Sequence, residues 1–177
     1  MGLIDRLDKR ALTELLGKCW MTHDGMWFYH AFSEFGIAKA NQLNKLAIQS
    51  LAPIEVRRFK KLLNISKPQV ESFAELQYFF ANVADVLIPD FMNVVWTFPE
   101  NNVVHWEFNA HECFAYKGIK MLGMIDEYEC GPLFRIQCWL RELGVRYEIV
   151  PKIDTCIFPI NGACSGHFKV FLNQKTS

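Results

Sequence analysis

The chain has 177 residues, about half of them hydrophobic, with nineteen basic and nineteen acidic side chains that cancel. That length fits one domain with a sizeable core, and fifteen Phe and five Trp make the core aromatic. A zero net charge supplies no field to gather nucleic acid or an anionic membrane, so the expected partner is a small-molecule ligand or substrate, or a second copy of the chain in a homodimer.

The start MGLIDRLDKR is charged where a secretory signal needs an apolar run, and Arg6 stands where a myristoylation signal wants Ser or Thr. The first amphipathic helix is expected over residues 3–16, with Leu3, Leu7, Leu12, Leu15 and Leu16 inward and Gly17 as its stop. A second runs to Phe35, ended by Gly36. Gly25 inside it costs about 1 kcal/mol relative to Ala, which suits a start after that residue with Thr22 or Asp24 as N-cap. A third helix spans residues 37–51, and Pro53 fits the first turn of a fourth that ends near Asn64. In that fourth helix Arg57, Arg58, Lys60 and Lys61 read as a solvated face opposite Val56, Phe59, Leu62 and Leu63. Ser66 and Pro68 open a fifth, burying Val70, Phe73, Leu76, Phe80 and Val83.

At Asn93 the period drops to two. Val94, Trp96 and Phe98 alternate, Glu100, Asn101 and Asn102 make a turn, and Val104, Trp106 and Phe108 alternate again, so a β-hairpin is expected with His105 and Glu107 on its solvent face. A helix is expected over residues 112–122. Another starts at Gly131 and Pro132, carries Leu133, Ile136, Leu140 and Leu143 on one stripe and stops at Gly144. Val145, Tyr147 and Ile149 then alternate, residues 156–160 read as strand, and Phe168, Val170 and Leu172 close the chain. The expected fold is α+β: a helical layer (residues 1–88) packed on an antiparallel sheet of about four strands with inserted helices (residues 89–177).

The stretch WMTHDGMWFYH concentrates the candidate chemistry. Trp20, His23, Trp27 and His30 share one helical face, which is either a core seam or the wall of a cavity. His23 and His30 lie about 10.5 Å apart along a helix axis, too far for both to hold one ion. At most one of them joins a site built elsewhere.

The second half supplies Cys113, Cys130, Cys138, Cys156 and Cys164. The most apolar stretch, residues 79–98, is broken by Asp85, Pro89 and Asp90 and does not read as a membrane span. A cytoplasmic location is expected, where cysteines serve as buried thiols, metal ligands or reactive groups rather than disulfides. Thiolates with imidazole form a zinc set, although no CxxC pair occurs. The one short ligand spacing is Cys164-Ser165-Gly166-His167, which is either a metal clip or a hairpin turn. Cys130 precedes a helix start, where N–H groups and the helix dipole lower a thiol pKa and suit a nucleophile or a metal-bound thiolate. Cys138 and Cys19 are most simply packing residues.

The pattern His23-Asp24-Gly25-Met26-Trp27 resembles a family of small uncharacterised bacterial and archaeal proteins. The order Cys113, Cys130, Cys156 and Gly162-x-Cys164 before an alternating strand resembles the L-2-amino-thiazoline-4-carboxylic acid hydrolase-like group and, more distantly, the 4-vinyl reductase-type ligand-binding domains. The resemblance implies an α+β small-molecule-binding fold in which the early His-Trp face and the later cysteines approach one pocket. Two functions are expected to compete. One is a hydrolase-like, metal-assisted enzyme acting on a small amide or amidine, with His23 and Cys130 catalytic, Trp20, Trp27 and His30 against substrate, and zinc on Cys113, Cys130, Cys156, Cys164 and His167. The other is a non-enzymatic ligand-binding or sensor domain with structural or redox cysteines.

Overall fold

Asp8 begins the first long helix, its carboxylate accepting the Ala11 N–H at 2.7 Å and so satisfying a donor that the first turn leaves free. The computed structural model describes residues 2–109 and 111–172. Helix α1 (Lys9–Phe35) runs unbroken through both glycines expected to interrupt it. Gly17 is no stop: a Cβ there would sit 3.2 Å from Pro89 and 3.3 Å from Phe91, so the bare backbone admits those side chains. Thr22 is no cap either, since its hydroxyl donates back to the Lys18 carbonyl in mid-helix.

Two expected helices merge in α2 (Ile37–Leu62), which carries Pro53 in its interior. Proline has no N–H for the carbonyl four residues back, yet the flanking Ala52, Glu55 and Val56 are all buried, and that packing holds the helix continuous. Helix α3 (Phe73–Leu87) begins later than Ser66 and Pro68. Its cap is Ser72, which accepts the Glu75 N–H at 3.2 Å while the Glu75 carboxylate accepts the Glu71 N–H at 2.8 Å. This is the serine-to-glutamate spacing of a capping box with the return bond displaced by one residue.

The sheet consists of β1 (Val94–Thr97), β2 (Val103–Phe108), β3 (Arg146–Val150) and β4 (Cys164–Phe171) in the order β1-β2-β4-β3, antiparallel throughout. The fold is α+β as expected. Trp96 pairs with Trp106 and Trp106 with Gly166. A Cβ at Gly166 would lie 2.6 Å from the Trp106 ring and 2.4 Å from the Val150 carbonyl oxygen, so only glycine leaves room for the indole. Between strands run α4 (Phe114–Met121), α5 (Gly131–Glu142) and the short α6 (Phe158–Asn161). The last stands where a strand was expected: Pro159 suits the first turn of a helix, and Gly162 at φ +67° ends it.

Trp106, Phe168, Leu76, Phe80, Leu133 and Leu140 form the main core, where the sheet meets α3 and α5. A smaller cluster of Phe28, Ala40, Ile119, Met124 and Tyr128 joins α1, α2 and α4 to the loop before α5. Phe28 is the sole fully buried residue of α1, which leaves Leu15, Leu16, Trp27 and Phe35 exposed. Among the described residues no helix is long and apolar enough to cross a membrane.

Candidate functional site

Helices α2 and α5 are joined by a buried charge pair. The Glu55 carboxylate accepts from Arg135 Nε at 3.0 Å, from Arg135 Nη2, and from the Trp139 indole N–H at 2.8 Å. The Arg135 guanidinium also lies over the rings of Trp20 (4.9 Å) and Trp139 (5.3 Å), where the ring faces favour a cation. Trp20 thereby ties α1 to this pair.

A loop is tied down next to it. Asn41, buried on α2, donates to the Glu127 carbonyl at 2.8 Å and accepts the Glu129 N–H at 3.2 Å. Lys45 pairs with Glu129, the Tyr128 hydroxyl accepts the Gly131 N–H at 3.1 Å, and the Tyr128 carbonyl accepts the Cys156 N–H at 3.0 Å. The start of α5 is therefore fixed from both sides.

These supports enclose a cavity of about 380 Å³ walled by α1, α2, α4 and the start of α5, a size in the range of small-molecule pockets. Trp20, Asp24 and Phe28 line it from α1, at i, i+4 and i+8. Asn44 and Ile48 line it from α2, Gly118 and Ile119 from α4, and Arg135 from α5. Asp24 stands on this wall with part of its surface open to solvent. Burial raises its pKa above the usual carboxylate value, against the opposing pull of Arg135 and His23. No cation among the described residues comes within ion-pair distance of it.

Behind Tyr128, Ala115 and Pro132, which line both spaces, lies a hollow of about 20 Å³, room for roughly one water. Cys113, Cys130, Cys156 and Cys164 all border it. Burial pushes the Cys113 thiol up to about 11, Cys164 up to about 12, and Cys130 and Cys156 upward as well. For Cys130 this reverses the sequence expectation. The Leu133 N–H at the helix start pulls its pKa down, but desolvation outweighs that pull.

The remaining expected site residues lie elsewhere. His23 is exposed, accepts the Trp27 indole N–H at 3.2 Å on the outer side of α1, and reaches neither the hollow nor Cys130. Trp27 and His30 are exposed too and do not line the cavity, so beyond Trp20 that face is neither core seam nor pocket wall. Helical rotation explains the miss: of the stripe only Trp20 turns inward, with Asp24 and Phe28 completing the inner face. Cys164 and His167 lie three positions apart on a β-strand rather than in a turn. Alternation places them on opposite sides of the sheet, with His167 beside His105 in the pairing register. His167 therefore leaves the metal set. Among the described residues no three His, Cys, Asp or Glu side chains are gathered tightly enough to hold a single metal ion.

Of the two charged residues on the cavity wall, Arg135 was not singled out by the sequence, and Asp24 was expected as an N-cap candidate. Asp24 had a signal, since Trp20, Asp24 and Phe28 at i, i+4, i+8 beside an open Gly25 mark one face; Arg135 had none in its own segment.

An α+β chain with a helix-walled cavity beside a thiol-lined hollow is the class these elements define. Residues 5–85 match the model of DUF6125, a family of unknown function, over α1, α2 and most of α3. The match takes in His23 to Trp27 and stops short of the sheet and of the four clustered cysteines. No curated protein and no solved structure matches the chain.

Proposed function

We propose that the chain is a small-molecule-binding protein whose helical cavity takes a flat apolar body bearing a cationic N–H donor, an amine or amidine. One observation carries the reading: Asp24 is a carboxylate without an ion-pair partner on an otherwise largely apolar wall, while the other charge in the cavity, Arg135, is already matched by Glu55. A partly solvated carboxylate on such a wall gains most from a ligand that brings both positive charge and paired N–H donors. Trp20 and Phe28 supply the flat surfaces for the ligand body.

A second reading rests on the raised pKa of Asp24, which suits a general base. Asp24 would take a proton from a water attacking the amidine carbon, and the tetrahedral adduct would release ammonia and leave an amide. This keeps the hydrolase expectation while moving its chemistry from His23 and Cys130 to Asp24. Titration of benzamidine into the protein by calorimetry tests both. Binding that weakens at least tenfold in Asp24→Asn, with neutral benzamide binding poorly to the wild type, supports the pocket; ammonia release on prolonged incubation adds the catalytic step. Equal binding by wild type and Asp24→Asn overturns the reading.

A further inference from the structure

Helix α1 carries apolar side chains all round, yet Phe28 is its sole fully buried residue. A helix of that composition is normally enclosed on every side. Here Leu15, Leu16, Met26 and Trp27 stand in solvent, Leu16 at 60% and Trp27 at 67% of full exposure.

The exposed residues fall into an ordered stripe. Lys9, Leu16, Trp20, His23, Trp27 and Glu34, with Thr13 and His30 filling the gaps, recur at alternating intervals of four and three residues, the spacing of a coiled-coil seam. The stripe runs for about 37 Å of helix, or about three and a half heptads. It also reads alike from its two ends. About a midpoint between Met21 and Thr22, Lys9 is the counterpart of Glu34, Leu16 of Trp27, and Trp20 of His23.

Charge fixes the direction in which such a stripe can meet a copy of itself. Pairing two copies in parallel would set lysine against lysine at one end and glutamate against glutamate at the other. Antiparallel pairing sets lysine against glutamate at both ends. Both groups are available for it: Lys9 and Glu34 are exposed and make no ion pair among the described residues. The other charges of α1 are placed elsewhere, Arg10 on Asp85 and Asp90, Glu14 on Lys18, and Asp24 on the cavity wall.

We propose that this stripe is the contact between two copies of the chain, an isologous dimer whose α1 helices pack antiparallel about a two-fold axis between Met21 and Thr22. Leu16 of each copy packs on Trp27 of the partner subunit, and Lys9 of each copy pairs with Glu34 of the partner subunit. The seam runs beside the ligand cavity, since Trp20 belongs to both. The dimer makes no use of Asp24, so benzamidine binding can fail without touching it.

The test is sedimentation equilibrium of the full chain from micromolar to submillimolar concentration, with reductant present so that the exposed Cys19 cannot link chains. The wild type is expected at twice the mass of one chain, dissociating on dilution. Trp27→Lys, at an exposed position that does not line the cavity, is expected to be monomeric while circular dichroism shows it folded. At low salt, Lys9→Glu and Glu34→Lys each weaken the dimer several-fold by placing like charges together, and the double variant recovers wild-type association. A wild type that stays monomeric over the whole range overturns the proposal. So does a dimer untouched by both Trp27→Lys and a second variant, Leu16→Lys, or one that the single charge changes leave as tight as the wild type.

Discussion

Replacing Arg135 by Met tests whether the charge pair between α2 and α5 organises the cavity wall. Both partners are largely buried, with side-chain exposures of 15% for Arg135 and 8% for Glu55. Met approximates the length of the arginine stem but leaves the Glu55 carboxylate with only the Trp139 N–H at 2.8 Å. Stranding one member of a buried pair costs about 3–5 kcal/mol, a fall in Tm of roughly 6–20 °C for a chain of this length. Adding Glu55→Gln should recover at least about half of the loss, because the amide removes the stranded charge and still offers an oxygen to Trp139. Thermal melts at pH 7 and urea titrations of wild type, both single variants and the double variant complete the cycle. A single Arg135→Met variant within about 1 kcal/mol of wild type, or a double variant as unstable as that single one, would show that the charge pair does not hold the wall together.

Gly25→Ala should raise stability by about 1 kcal/mol, because an added Cβ meets nothing within 4 Å; an unchanged or lower Tm contradicts an open mid-helix position. Gly166→Ala should cost about 1–3 kcal/mol or more, its Cβ being forced against Trp106 and the Val150 carbonyl; wild-type melting would show that the sheet yields there. Asp24 carries a raised pKa, so the folded chain holds a proton that the unfolded chain has already released. Its contribution is therefore full below the ordinary value of 3.8 and is lost as pH rises through the folded pKa. Asp24→Asn escapes that loss: its Tm should exceed that of wild type at pH 7, with the gap closing as pH falls toward 3.8. A gap that widens on acidification reverses the sign and contradicts the burial of the carboxyl group.

Period-two segments were the legible part of the fold. Val94-Trp96 against Trp106-Phe108 and the alternation in β3 and β4 led directly to the antiparallel sheet, and Gly131-Pro132 marked the start of α5. Helix ends were less legible, because a glycine or proline penalty in one segment says nothing of its neighbours. Gly17 is held in α1 by Pro89 and Phe91, some seventy residues on, and Pro53 stays in α2 because the residues beside it are buried. The expectation that imidazole and thiols meet in one hollow divides. The sulfurs of Cys113, Cys130, Cys156 and Cys164 do border one space, whereas His23 points away by the angle that separates i+3 from i+4 on a helix. The CxxH clip disappeared once Cys164 and His167 proved to lie in a strand, where an odd separation changes faces.

The most direct measurement on the central claim is an amide and indole chemical-shift map of the protein titrated with benzamidine. Saturable shifts are expected at the Trp20 indole and at the Asp24, Gly25 and Gly131 amides, the residues that face the cavity, with the Trp27 indole, which does not line it, unmoved. Shifts confined to His23, Trp27 and His30, with the cavity residues silent, would contradict it.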